Sequence, residues 1–537
     1  MSRIACFILV LVALIGMPRL AAADPLDDLV QKLGADDFDT KIEAVNGLAA
    51  LPDGRVLHVL NELSSGALYT TSDHHVVVGE ESGDGYTTSD PVDGHALGKA
   101  ASDDLDKIRL NNRLRGAIDS AKGGLLLFSD QRDDRLAAAA DALAHPDPSR
   151  IAALVKAAVN EKDSGVRAAM ERAIAAARLT SGDKAEQLAA ITALSGSSDR
   201  TVLGLLSDRR AATDLDPTVK QALDQAISSI SRRLQLIGIA ATIFEGLSLG
   251  SILLLAAIGL AITFGVMGVI NMAHGEMIML GAYTTYVTQQ VFTAFLPPGW
   301  LDAYLVVAVP AGFIVAGGVG ILLERSVIRF LYGRPLETLL ATWGVSLILQ
   351  QLVRTIFGSP NKAVANPSWM TGGIQLLGGG TLTWNRIVIL IFCFVVLGVL
   401  AFVLRRTSFG LHMRAVTQNR DMAAAMGIPT ARVDALTFGL GSGIAGMAGV
   451  ALSQIGNVSP NLGTIYIVDS FLVVVFGGVG SLLGTLAGAM TLGIVNKILE
   501  PVVGAVLGKV VVLLCIILFI QKRPRGLFAL KGRAVEH

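Results

Sequence analysis

The chain has two rhythms of apolar and polar residues. From about residue 237 onward, nine apolar runs fall at 237–263, 274–295, 303–323, 337–357, 385–404, 431–455, 466–481, 482–500 and 505–521. Most reach the roughly 20 residues that an α-helix needs to cross a bilayer. Between 24 and 232 the apolar residues instead recur at helical spacing, with polar, Asp-rich starts. The clearest examples are Asp36–Leu51, Asp133–Ala144, Asp163–Leu179, Asp183–Leu194 and Asp216–Ile230. Such a pattern predicts short amphipathic helices separated by turns. Loose spacing of about 20–50 residues suggests stacked helix pairs of the HEAT-like kind, with an irregular bundle as the alternative. The expected fold is therefore all-α: a polytopic membrane helix bundle of about 8–9 spans, preceded by a secreted, HEAT-like helical domain.

One stretch near 69–110 breaks the helical pattern. Tyr69-Thr-Thr-Ser-Asp73 recurs as Tyr86-Thr-Thr-Ser-Asp90, with a Val run and Gly and Asp between. This predicts a small hairpin or surface loop. His74, His75 and His95 lie here, but their spacing matches no metal-ligand signature, and they read as solvated loop residues. No metal or cofactor is expected. Residues 1–23 read as a secretory signal, with Arg3 at the start, Ile4–Gly16 as the apolar core and Ala21-Ala22-Ala23 before the cut. An uncleaved anchor is the alternative, and both place residues after Ala23 outside the cytoplasm. The expected organisation is thus a signal at 1–23, a periplasmic helical domain at 24–232 and a transmembrane domain at 237–530.

Composition sharpens this division. Hydrophobic residues make up 52% of the chain and charged ones 16%. The formal net charge is zero, yet residues 1–236 carry 26 Lys and Arg against 34 Asp and Glu, and the remainder 18 against 10. Neither part has the clustered basic and aromatic residues that bind nucleic acid. Three cysteines, one of them in the leader, provide no disulfide frame. The basic loops, around Arg325–Arg334, Arg405–Arg432 and Lys522–Arg533, belong on the cytoplasmic side; 296–302, 358–384 and 456–465 face out. An outer N-terminal domain and an inner C-terminus then require an odd number of crossings, which nine satisfies.

Two polar stretches interrupt the membrane part. The first is the knot Asn271-Met-Ala-His274-Gly275-Glu276, set between two apolar runs. A charged side chain at the bilayer centre costs roughly 3 kcal/mol on insertion scales, so such residues usually face protein or water. Asn271, His274 and Glu276 are the candidate substrate-path or gate residues; Asn271 and His274 would share a face if helical. The alternative is that they only cap or tie helix ends. Asn457 and Asp469 add polarity further on. Glycines spaced by four, as at Gly246 and Gly250, Gly439 and Gly443, and Gly480, Gly484 and Gly488, predict close helix packing.

The second stretch is the basic loop from Arg405 to Pro429. Asp421–Met426 predicts a short helix along the membrane, ended by Gly427, with Pro429 opening the next element. Arg414, Arg420, Asp421, Ala424, Met426 and Gly427 are the candidate coupling residues, where an Ala and Met face would enter a groove on a soluble partner. An ordinary positive loop is the alternative.

Three separated motifs carry a resemblance: GLSLGS ending at Ser251, GVMGVINMAHGE from Gly265 to Glu276, and Arg414 followed by DMAAAMGI from Asp421 to Ile428. Together they resemble the permease subunits of branched-chain amino-acid ABC importers over residues 237–530. The preceding secreted domain is similar to the long form found in urea ABC importer permeases. The resemblance implies a bacterial inner-membrane importer and not an enzyme. Its partners would be a periplasmic substrate-binding protein, a second related permease and cytoplasmic ATP-binding subunits, which would dock on the 414–428 helix. The chain has no GxxxxGK[ST] and is not itself the ATPase. Urea is the expected substrate, a branched-chain amino acid or short amide the alternative, and an ATP-independent channel a further class.

Overall fold

The computed structural model describes residues 25–51, 53–82, 85–213, 215–375, 380–524 and 526–528. The signal at 1–23 and the basic residues Lys531 and Arg533 of the C-terminal tail lie outside them. The chain divides into two compact units, one running to Arg233 and the other starting at Leu234.

The first unit begins with three helices, α1 (Pro25–Lys32), α2 (Phe38–Ala50) and α3 (Arg55–Ser65). A sheet follows, with β1 (Leu68–Thr71), β2 (Val76–Ser82), β3 (Gly85–Ser89), β4 (Ala96–Ala100) and β5 (Leu105–Lys107). Six further helices come next: α4 (Asn112–Leu126), α5 (Arg132–Ala144), α6 (Ile151–Asn160), α7 (Ser164–Arg178), α8 (Lys184–Ser195) and α9 (Arg200–Ala211). Aspartate side chains start several of them. Asp37, Asp163, Asp183 and Asp199 each accept backbone N–H groups of the first turn, satisfying donors that a helix start leaves free. One face of α2, α3 and α4 is fully buried through Leu48, Val59, Leu60, Leu63 and Leu114. Each such leucine contributes about 1.5–3 kcal/mol relative to exposure.

The sheet corrects the all-α expectation for this unit, and the hairpin or loop expected near 69–110. Five antiparallel strands run in the order β4-β3-β2-β1-β5. The repeated Tyr-Thr-Thr-Ser segments form β1 and β3, which flank β2 rather than pairing with each other. Tyr69 and Tyr86 meet across it, with ring centroids 5.1 Å apart. Gly79 of β2 makes room, because a Cβ there would lie 2.8 Å from the Tyr69 ring. The Thr and Val alternation suits a pleated surface, while β4 and β5 are too short and too polar to stand out as strands. His74 sits in the turn between β1 and β2 with φ 62° and is exposed.

The second unit is helical. Helix α10 (Pro217–Met267) starts within the first unit and runs without a break into the apolar part, so 216–230 and 237–263 are one helix rather than two. It is followed by α11 (His274–Phe295), α12 (Tyr304–Ser326) and α13 (Pro335–Phe357). The short hairpin β6 (Gly373–Gln375) and β7 (Thr381–Thr383) precedes α14 (Trp384–Arg406), α15 (Ser408–Gln418), α16 (Arg420–Ala425) and α17 (Thr430–Ser453). Finally come α18 (Leu462–Gly477), α19 (Leu482–Val503) and α20 (Ala505–Lys522). Among the described residues, seven helices are long and apolar enough to cross a membrane: α10, α12 with its leading turn, α13, α14, α17, α19 and α20. Helix α18, with 16 residues, is too short for that group, and α11 is absent from it although 22 residues long.

Helix α11 is buried mainly between His274 and Thr285. Apolar windows in α10 and α17 are 83% buried, against 17–33% for the other five. Helix α11 packs on α12, α17 and α18, and its buried face includes Thr285 and Thr288, whose hydroxyls donate to carbonyls one turn back. Its last turns are open, with Val287, Val291 and Phe295 exposed. Glycines permit this packing. A Cβ on Gly281 would overlap the Gly446 carbonyl, and one on Gly446 would overlap the Gly312 carbonyl, so α11, α12 and α17 meet nearly backbone to backbone.

Candidate substrate path and coupling segment

The polar knot breaks a helix inside the bundle. Helix α10 stops at Met267, and Gly268 follows at φ 67°, the left-handed geometry that ends helices. Between the helices, Asn271 Oδ1 accepts the Ala273 N–H at 3.0 Å. The Met272 N–H donates to Thr342 Oγ1 of α13 at 3.2 Å. Asn271 precedes α11, so it shares no helical face with His274. His274 opens α11, is fully buried, and its Nε2 donates to the Ala256 carbonyl of α10 at 2.9 Å. A carbonyl only accepts, which places the proton on Nε2. This bond ties the first turn of α11 back onto α10.

Glu276 sits at the centre of a polar cluster. Its Oε1 accepts from Ser346 Oγ and from Gln350 Nε2, both at 2.8 Å. Gln350 Nε2 also donates to Thr464 Oγ1 of α18 at 3.0 Å, and Arg354 Nη2 donates to Asn461 Oδ1 at 2.6 Å. Ser346, Gln350 and Arg354 are four apart and therefore line one face of α13. Ser346 is the middle residue of Pro335–Phe357, so the Glu276 contact lies near the bilayer midplane if α13 crosses. Glu276 is 1% exposed and its Oε2 has no hydrogen-bond partner among the described residues. Asn461 and Thr464 are exposed. The cluster thus runs from a buried carboxylate, through a hydroxyl and an amide, to an open rim. Such groups can exchange hydrogen bonds with a small polar solute in place of water. Sequence reading missed Ser346, Gln350 and Arg354, although a polar stripe of spacing four inside an apolar run was there to be read.

The coupling segment contains two helices where one was expected. Thr407 caps α15, Asn419 Oδ1 accepts the Met422 N–H at 2.9 Å to start α16, and Gly427 ends the turn at φ 84°. Arg414 donates to the Leu404 carbonyl. Arg420 forms an ion pair with Asp434 at the start of α17 and stacks on Tyr332 at 4.4 Å. Asp434 is 1% exposed, so Arg420 anchors the segment to the bundle. Ala423 points inward, whereas Asp421, Ala424 and the side chains of Met422 and Met426 face outward, the latter two 60% and 77% exposed. Glu324, at the end of α12, is buried with neither oxygen hydrogen-bonded among the described residues. Asp434, Tyr332 and Glu324 were not singled out from sequence, because the contacts that join them bring together residues far apart in the chain.

The comparisons with known proteins match this unit. The family model described as branched-chain amino acid transport system / permease component matches residues 242–520, more than half of the chain. The LivH permease of the high-affinity branched-chain amino acid transport system from Escherichia coli is 32% identical over 293 residues, covering 53% of this chain and 93% of the relative. BraD from Pseudomonas aeruginosa is 30% identical over 287 residues, with the same coverage. A ribose import permease from Bacillus subtilis is 30% identical over 134 residues, 23% of this chain and 41% of its own length. No solved structure matches the chain. This is a multi-pass membrane permease and not an enzyme, and it belongs to the family of branched-chain amino acid transport system permease components.

Proposed function

We propose that the chain is a permease subunit of an ATP-driven importer whose substrate passes the Glu276, Ser346 and Gln350 cluster, with a branched-chain amino acid as substrate. The observation that carries the path is the placement of a buried carboxylate against the midpoint of α13. A charge is costly at that depth, and the hydroxyl and amide that hold it are also groups that a solute's polar atoms can displace. The substrate class rests on the relatives, which favour an amino acid over the urea expected from domain architecture. Urea remains the second reading for a specific reason: the unit ending at Arg233 lies wholly outside the match to amino-acid permeases.

In this reading residues after 23 lie in the periplasm, the segment 407–429 is cytoplasmic, and the exposed Met422 and Met426 enter a groove on an ATP-binding subunit. Arg420 transmits that movement to α17 through Asp434. A second related permease completes the membrane assembly, and a periplasmic binding protein delivers the solute to the open rim at Asn461 and Thr464. The test is uptake into proteoliposomes holding the co-expressed complex, with radiolabelled leucine and urea offered in parallel. ATP-dependent leucine accumulation that Glu276→Gln abolishes, in a complex of normal composition, supports the reading. Urea accumulation without leucine would move the substrate to the second reading. Equal uptake without ATP would sink the importer assignment.

A further inference from the structure

A second polar feature of the membrane unit is built from residues other than those of the Glu276 cluster. A cavity of about 180 Å³ opens where α14 begins and α17 ends, bordered also by α10, α18 and α19. Its apolar wall includes Leu249, Ile252 and Leu452; its polar lining includes Ser248, Asn457 and Arg386. Arg386 stands in the first turn of α14, where its charge adds to the positive end of the helix dipole. Its guanidinium has no ion-pair partner among the described residues. The other cation of the lining, Lys497, is already held by Glu500 at 2.7 Å and Glu245 at 3.7 Å. Ser248 provides the independent observation: its residue is 1% exposed, it lines the cavity, and its Oγ has no hydrogen-bond partner among the described residues.

An uncompensated guanidinium, a buried free hydroxyl and an apolar wall in one cavity suit a single kind of ligand. We infer that this cavity binds the oxyanion of a small amphiphile, with the carboxylate or phosphate on Arg386 and Ser248 and the apolar body against Leu249 and Ile252. Two sources carry that chemistry: an amino-acid carboxylate, which would make this an additional holding site, and an anionic lipid headgroup. The site shares no lining residue with the Glu276 cluster and needs no transport to be detected, so its failure and the failure of the transport reading are distinguishable.

The test uses the full chain. One arm measures equilibrium binding of radiolabelled L-leucine in phosphatidylcholine nanodiscs, with leucinol, which lacks the carboxylate, as competitor. The other follows retention of phosphatidylglycerol by native mass spectrometry. Saturable binding is expected in one arm, and the arm that responds identifies the source. Arg386→Gln and Ser248→Ala should each weaken it by about tenfold, the scale of one lost hydrogen bond to a charged group, while Arg386→Lys restores part of it. Leucinol should not compete. Binding absent from both arms, or unmoved by both Arg386→Gln and Ser248→Ala in folded protein, would overturn the inference.

Discussion

The two units solve the same problem, holding helices together, with opposite residues. In the first, aspartates fix where helices begin, and leucine and valine side chains fill the space between them. In the second, space between helices is removed: glycines on α11, α12 and α17 bring backbones together, and the Ala256 carbonyl, the Glu276 carboxylate and the Asp434 carboxylate tie the joints. Water explains the difference. Burying apolar side chains is favourable where the alternative is water, and gives little between helices already in lipid. Close approach and buried polar bonds then decide which helices meet. Polar residues of the membrane unit accordingly mark joints between helices, whereas those of the first unit mark helix starts.

The largest effect should come from filling the backbone contact. Gly446→Val pushes a side chain into the Gly312 carbonyl and Ala316 and should abolish monodisperse permease in fluorescence-detected size exclusion. Normal elution would mean that the glycine contact does not hold the bundle. Next in size is a cut into the first unit's core. Leu60→Ala should lower that unit's unfolding free energy by about 2–5 kcal/mol, read in the full chain as an earlier first calorimetric transition with the membrane transition unmoved. A joint shift of both transitions would contradict the separation of the units.

Removing an aspartate cap is smaller. Asp163→Ala takes the acceptor from the Gly165 and Val166 N–H groups and should cost about 1 kcal/mol. Its neighbour Glu161 gives the smallest, pH-dependent effect. Hydrogen bonds from Arg135, at 2.6 and 3.1 Å, hold its carboxyl below the usual carboxylate range. The folded state therefore releases the proton more readily than the unfolded one. Its stabilisation is present above the unfolded value and is lost as pH falls through the folded one. Wild type should lose first-transition temperature over that interval more steeply than Glu161→Gln; parallel profiles would remove the Arg135 pair from the account.

Legibility followed the same division. Some helix starts of the first unit were readable because a capping aspartate is a local signal, as Asp163 and Asp183 show; the start read at Asp36 falls one residue before the cap Asp37, and the one read at Asp133 lies inside a helix that no aspartate caps. The sheet was not, because β1 and β3 find their partner only through β2, and Gly79 acquires its purpose from two tyrosines on neighbouring strands. In the membrane unit, hydropathy located the helices of all nine apolar runs, of which seven are long and apolar enough to cross a membrane among the described residues, and the knot at Asn271–Glu276 and the turn at Gly427 stood out as local interruptions. The partners of Glu276 and Arg420 lie 70 or more residues away or across a turn in another helix, so only the fold brings Ser346, Gln350 and Tyr332 to them. The Ser346, Gln350 and Arg354 stripe was local, and is the signal that could have been used.

The central claim is that solute passes the cluster at the middle of α13. Thr464→Cys, placed at its open rim in a chain with Cys6, Cys393 and Cys515 replaced by serine, tests it directly by modification with a membrane-impermeant thiol reagent in the reconstituted complex. The account predicts labelling from water that substrate-loaded binding protein slows, and loss of leucine uptake once the site is modified. A thiol that stays unreactive throughout the transport cycle, or uptake that continues at full rate after complete modification, would contradict it.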